Sequence, residues 1–233
     1  MKKQGFFITQ FVRLGSKLVP ISLYIMGRPI RKELGRGART VLDIGCGRGL
    51  IGAPITRTGR YFTVGAEIYQ PDLREAWKNH THVAFVRCDI RSLPFRPGSF
   101  DIILCTEVLE HVTKEEGRTL LKNMEEIASR KVILSTPRGY LNTCHESSPN
   151  PPAQDNIHQE HQSGWHADEL RALGYRVYYN RFLSNCEQFI QEHFRNWSWL
   201  ITTIIFSSLA PLLWISPGFG VHLFCVKDLG RQS

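Results

Sequence analysis

The sequence predicts an α/β fold, a mostly parallel sheet of seven strands flanked by helices. Two observations carry that expectation. From residue 40 to about 179, short β-rich runs alternate with helical patterns. The first run then opens into "DIGCGRG", with glycines at 45, 47 and 49, a turn in which backbone N–H groups approach a ligand with no Cβ in the way.

Taken in order, the strand runs are "TVLDI" (40–44), "YFTVGAE" (61–67), "VAFVRC" (83–88), "FDIILC" (100–105), "KVILST" (131–136), "YRVYY" (175–179) and "VHLFCVKD" (221–228). Between the fourth and fifth, Thr113 precedes "KEE", and Leu120, Leu121, Met124 and Ile127 recur at helical spacing. That pattern is a capping box followed by one buried face. "GWHADELRALG" predicts a second helix, with Leu170 and Leu173 inward and Gly174 as its stop. The cluster "ESSPNPPAQDN" (146–156) reads as a long loop.

The length of 233 residues suits one domain. The cysteines at 46, 88, 105, 144, 186 and 225 form no C-x-x-C pair, which predicts reduced thiols in a cytoplasmic protein rather than a disulfide framework or zinc site. The formal net charge is +8, but no Lys/Arg block exceeds two residues, which argues against nucleic acid as a partner. Lys2 and Lys3 precede the apolar "GFFITQFV", yet Arg13 and Lys17 interrupt the run and no small-residue cleavage site follows. A secretory signal is therefore not expected.

The glycine turn does not fit the dinucleotide fingerprint, because Leu50 stands where its last glycine belongs. The spacing is D-x-G-x-G-x-G, with Asp43 two residues before Gly45. A carboxylate there repels a pyrophosphate and attracts an ammonium or sulfonium. Glu67, ending the second strand, is placed to accept from ribose hydroxyls, and Asp89 in "RCDI" to accept from an adenine amino group.

Over residues 40 to about 180 the chain resembles the class I S-adenosylmethionine-dependent methyltransferases. The similarity lies in "VLDIGCGRG", the acidic end of "TVGAEI", "RCDIRSLPF" and "FDIILCTEVLEHV", in that order. It implies a Rossmann-like sheet whose last strand returns antiparallel, and S-adenosyl-L-methionine as cofactor. It also implies that Asp43 and the turn of Gly45, Cys46, Gly47 and Gly49 hold the methionine portion. Glu67 and Ile68 would then serve the ribose and Asp89 and Ile90 the adenine, while Thr106 completes the cofactor-binding set at the end of the fourth strand.

"CTEVLEHV" brings Glu107, Glu110 and His111 together just past that strand. On a helix, positions i, i+3 and i+4 share a face, so the three are expected to converge as ligands for a hard ion such as Mg²⁺. A similar E-x-x-E-H occurs in the branches that O-methylate quinone precursors and the 2′-hydroxyl of small RNAs. In the RNA branch a later histidine completes the site, and His161 of "EHQSGW" stands in a similar setting. The metal-free alternative keeps Glu107, Glu110, His111 and His161 as catalytic candidates, with either histidine as general base.

The ends of the chain differ from its centre. Phe7, Phe11, Leu14 and Leu18 oppose Lys3, Gln10, Arg13 and Lys17, an amphipathic pattern suited to a lipid interface or to a cap on the core. From Trp197 to Val226 there is no Asp, Glu, Lys or Arg, while Pro211, Pro217, Gly218 and Gly220 interrupt the run. It reads as a lid, a membrane-docking element, a dimer surface or a membrane span. The expected organisation is an extension (1–39), a cofactor-binding core (40–182), an apolar insertion (183–220) and a final strand with tail (221–233). The expected function is methyl transfer to a small, apolar or lipid-like acceptor, with a peripheral membrane surface as a further partner. The rivals are a metal-dependent RNA 2′-O-methyltransferase and a non-catalytic binding module that retains the fold.

Overall fold

The structure, a computed structural model, describes residues 29–35, 37–139, 156–180 and 222–230. The amphipathic pattern of residues 3–18 and the apolar insertion 183–220 lie outside the described residues. The chain divides into two units, Met1–Gly37 and Ala38–Ser233. In the first, residues 29–34 are helical.

The second unit is a seven-stranded sheet. In chain order its elements are β1 (Thr40–Ile44), α1 (Gly52–Thr56), β2 (Phe62–Glu67), α2 (Gln70–Lys78), β3 (Ala84–Arg87), β4 (Phe100–Thr106), α3 (Lys114–Ile127), β5 (Ala128–Pro137), α4 (Ala167–Ala172), β6 (Arg176–Asn180) and β7 (His222–Asp228). Spatially the strands run β3-β2-β1-β4-β5-β7-β6. The pairs among β1 to β5 are parallel, whereas β7 is antiparallel to both β5 and β6 and lies between them. The order reverses between β1 and β4, so the carboxyl ends of these two strands frame a topological switch point, where open α/β sheets bind ligands.

Every expected strand run forms. β5 starts earlier than its apolar run because α3 passes straight into it: Ala128, which caps the helix, already has extended angles. The central strands are buried on both faces, with Leu42, Ile44, Ile103, Leu104, Val132 and Leu134 in the core. Continuous apolar runs are what a doubly covered parallel sheet requires. Against this sheet α3 lays Leu120, Leu121, Met124 and Ile127, each contributing about 1.5–3 kcal/mol of burial.

The capping box that starts α3 is present. Thr113 Oγ1 accepts from the Glu116 N–H, and Glu116 Oε2 accepts from the Thr113 N–H at 2.9 Å. Thr113→Ala is expected to cost about 1 kcal/mol, read as a melting temperature lowered by about 2–4 °C. In α4 Leu170 is fully buried but Leu173 is exposed, because the helix ends at Ala172 and Gly174 turns the chain away with φ +86°. Among the described residues Cys46, Cys88, Cys105 and Cys225 are free thiols, and no helix is long and apolar enough to cross a membrane.

Candidate functional site

The sheet brings the sequence-predicted residues to one edge. Asp43 lies next to the end of β1, opposite Gly65 of β2 and Leu104 of β4. Glu67 ends β2, Thr106 ends β4, and Asp89 follows β3 by two residues. All therefore stand at strand carboxyl ends.

Asp43 is 2 % exposed. Its Oδ2 lies 3.0 Å from His82 Nε2, while its Oδ1 is buried without a hydrogen-bond partner, alone in this among the described side chains. An ionised carboxylate only accepts, so the Nε2 facing it carries the hydrogen. The unmatched oxygen is costly unless something cationic or donating meets it.

The three alternate glycines of the turn prove different in kind. A Cβ on Gly45 would overlap the Val108 side chain, and one on Gly49 would overlap Thr81. Only Gly47 of the three points its Cβ direction into open space, with nothing within 4 Å and φ +50°. Gly45 and Gly49 thus serve packing, and Gly47 is the position that leaves room for a ligand. The Gly47 N–H donates to Glu67 Oε2 at 2.9 Å, and the Tyr69 N–H to Oε1 at 2.8 Å. Burial raises the Glu67 carboxyl above its usual range, opposed by these backbone donors. Burial, then the charges of Asp43 and Glu67, hold the Cys46 thiol far above its ordinary range.

Asp89 is more exposed. Arg91 chelates it, with Nε 3.0 Å from both carboxylate oxygens, and holds it below the usual carboxylate range. An Asp89–Ser92 turn follows, and Ile90 and Ile68 are half-buried beside these carboxylates in sequence. An adenine amino group at Asp89 would share its acceptor with Arg91.

Past β4 the structure departs from the expected helical face. Glu107 takes φ +53° and its N–H still donates to Ser135 O of β5. A 3₁₀ turn, Leu109–His111, then follows. Glu107 stands between β4 and that turn, and its carboxylate accepts from Ser135 Oγ at 2.6 Å. Glu107 therefore falls outside the group that does converge, which is Glu110, His111 and His161, with one ligand atom of each within 4.8 Å of the others.

His161 reaches this place through its neighbours. The N–H groups of Gln162 and Ser163 donate to the Glu110 carbonyl at 2.8 and 3.1 Å. Trp165, fully buried, donates from Nε1 to Ser163 Oγ, which in turn donates to the Leu109 carbonyl. The two imidazoles meet edge to face with centroids 5.0 Å apart. His111 Nδ1 lies 3.3 Å from the Glu160 carbonyl, which fixes the ring's orientation. Glu110 is 2 % exposed and accepts from Thr136 Oγ1. Burial first and the Glu107 charge second push its carboxyl well above the usual range. One carboxylate and two imidazoles form a donor set suited to a divalent ion.

Sequence reasoning missed His82, whose side chain is 0 % exposed. Gly52 and Gly65 were the available signal, since a Cβ on Gly52 would collide with the His82 ring and one on Gly65 would come within 2.9 Å of its Nδ1.

Comparison with known proteins agrees with this layout. Residues 41–130 match the methyltransferase domain family. An uncharacterized methyltransferase of Mycobacterium sp. (strain KMS) is 43% identical over 83 residues, 34% of this chain and 31% of that protein. A ubiquinone biosynthesis O-methyltransferase of Serratia proteamaculans (strain 568) is 35% identical over 78 residues, 32% of each. The chain thus matches about a third of the length of these curated relatives. In fold it is similar to phosphoethanolamine N-methyltransferase 2 of Haemonchus contortus, solved with S-adenosyl-L-methionine, with TM-score 0.58, 16% identity, and coverage of 89% of this chain and 52% of that one. Residues 41–130 thus carry a methyltransferase domain, set in a 3-2-1-4-5-7-6 sheet whose fold resembles that of solved methyltransferases.

Proposed function

We propose that this chain transfers a methyl group from S-adenosyl-L-methionine to a small, apolar or lipid-like acceptor. The observation that carries the reading is the buried, half-satisfied Asp43 carboxylate at the switch point, four residues before Gly47 with its open side. Asp43 Oδ1 accepts from the ammonium of the methionine portion, and Gly47 admits that portion without a Cβ. Glu67, oriented by two backbone donors, keeps lone pairs for the ribose hydroxyls. Asp89 and Ile90 receive the adenine, and Ile68 and Thr106 border the cofactor.

When bound, the cofactor supplies a methyl group on a sulfonium, which the acceptor's nucleophile displaces in line. The chain's own residues align the two and exclude water. His111 or His161 stands ready to take the acceptor's proton, since an unperturbed imidazole titrates near neutrality. Ser135 orients the Glu107 carboxylate. The apolar acceptor is supported by the ubiquinone O-methyltransferase relative and by the uncharged run from Trp197 to Val226, which also supports peripheral docking on a membrane.

A metal-assisted version is favoured by the convergence of Glu110, His111 and His161. These residues would hold a divalent ion, and such an ion lowers the pKa of an acceptor hydroxyl. The test uses stability. A carboxyl raised above its unfolded value favours the fold at low pH, and that contribution is lost as pH rises through the raised value. Without divalent ions, the protein should therefore lose stability relative to Glu110→Gln as pH rises from about 4. Added Mg²⁺ should restore the melting temperature of the unsubstituted protein and leave the variant unchanged. An equal response of both would remove the metal from this reading.

The acceptor is tested by incubating the protein with methyl-labelled S-adenosylmethionine and an extract of its own cells, with and without Mg²⁺, then partitioning the products. Label in the organic phase is expected. Label confined to water would transfer the assignment to a polar acceptor, including RNA, whose binding would weaken steeply with salt.

A further inference from the structure

We infer that His82 is a positioning residue for the cofactor's amino-acid end, holding Asp43 Oδ2 so that Oδ1 alone meets the ammonium. The inference rests on the cofactor assignment proposed above. Three features of the site carry it.

His82 is fixed from all sides. Its ring packs on Gly52 and Gly65, where a Cβ would clash, and meets Phe85 edge-on with centroids 5.6 Å apart. Nδ1 lies 3.0 Å from Thr81 Oγ1, and that hydroxyl is itself 3.2 Å from the Ala76 carbonyl. Thr81 in turn packs against Gly49 of the turn. A chain of contacts therefore runs from the C-terminal end of α2 through Thr81 and His82 to Asp43.

The carboxylate at the other end is used asymmetrically. One oxygen is saturated by a rigid donor, and the other is buried with no partner in the protein. A buried unmatched oxygen points to a ligand donor. Without His82 the carboxylate would lose both its orientation and its one donor. A charge-assisted hydrogen bond to a preset carboxylate is stronger than one to a rotating group.

The predicted consequence is selective. S-adenosylhomocysteine carries the amino-acid end, whereas 5′-methylthioadenosine carries the same nucleoside and thioether without it. His82→Phe keeps an aromatic plug and removes the donor. It should weaken S-adenosylhomocysteine by about 10- to 100-fold and leave methylthioadenosine affinity unchanged. His82→Gln places an N–H near the same position and should recover most of the loss. Thr81→Val keeps its shape, removes the Nδ1 partner, and should give a smaller loss for the same ligand only. If His82→Phe does not fold, Thr81→Val and His82→Gln carry the comparison.

Calorimetric titration of each variant with both ligands decides the matter. Selective loss with rescue by glutamine supports the positioning role. Equal losses for both ligands, or none for either, would overturn it and leave His82 as packing. Failure of the unsubstituted protein to bind either ligand would overturn the cofactor assignment and the inference with it.

Discussion

Asp43→Asn should reduce affinity for S-adenosylmethionine on the order of a hundredfold or more, the equivalent of about 3 kcal/mol lost when one member of a buried charged pair is removed. The substitution conserves volume and keeps an oxygen or amide within reach of His82 Nε2, now 3.0 Å from Oδ2. The fold should therefore survive, and the loss should appear in binding and not in melting. What disappears is the charge that the cofactor's ammonium meets at Oδ1, a position with no other partner. Unchanged affinity in a calorimetric titration would sink the assignment of Asp43.

Gly49→Ala should do the reverse, destabilising the fold more than it weakens binding. Its φ of +78° costs any L-residue, and the added Cβ would overlap Thr81 and approach Cγ2 at 2.7 Å. Left-handed strain and overpacking together amount to about 3 kcal/mol, or a melting temperature lower by about 10 °C. Gly47→Ala is the contrast. Its φ of +50° carries the strain, but its Cβ would meet nothing within 4 Å. That variant should melt within a few degrees of the unsubstituted protein, at roughly 1 kcal/mol, while binding the cofactor more weakly. Thermal denaturation of the two variants separates them, and equal melting temperatures would show that Thr81 yields.

Much of this was legible because apolar runs and turn residues encode the sheet locally. β1, β4 and β5 read as strands since parallel strands buried on both faces are continuously apolar. Thr113 and Glu116 announced α3 because a capping box is a short-range pattern. The helical face expected for Glu107 failed for the opposite reason. Its spacing to Glu110 and His111 has helical form, but just past β4 its N–H bonds to the distant Ser135 O and its backbone takes φ +53°. His82 was missed because its partner, Asp43, lies 39 residues away in sequence, and its one signal, the two glycines it packs over, is not local to it. His161 could be suggested by similarity alone. Its delivery to His111 depends on Ser163 and Trp165, whose contacts with the Leu109–Glu110 backbone exist only in three dimensions.

The place of β7 bears on how the protein is made. β6 touches the sheet through β7, which follows it by some forty residues in the chain and lies between it and β5. During synthesis β1 to β5 can pair as they emerge, but β5 presents an open edge until β7 arrives. Closure of the sheet is thus the late, long-range step that slows folding. Hydrogen exchange during refolding should protect β1 and β4 first, and β6 together with β7 last, as one cooperative unit.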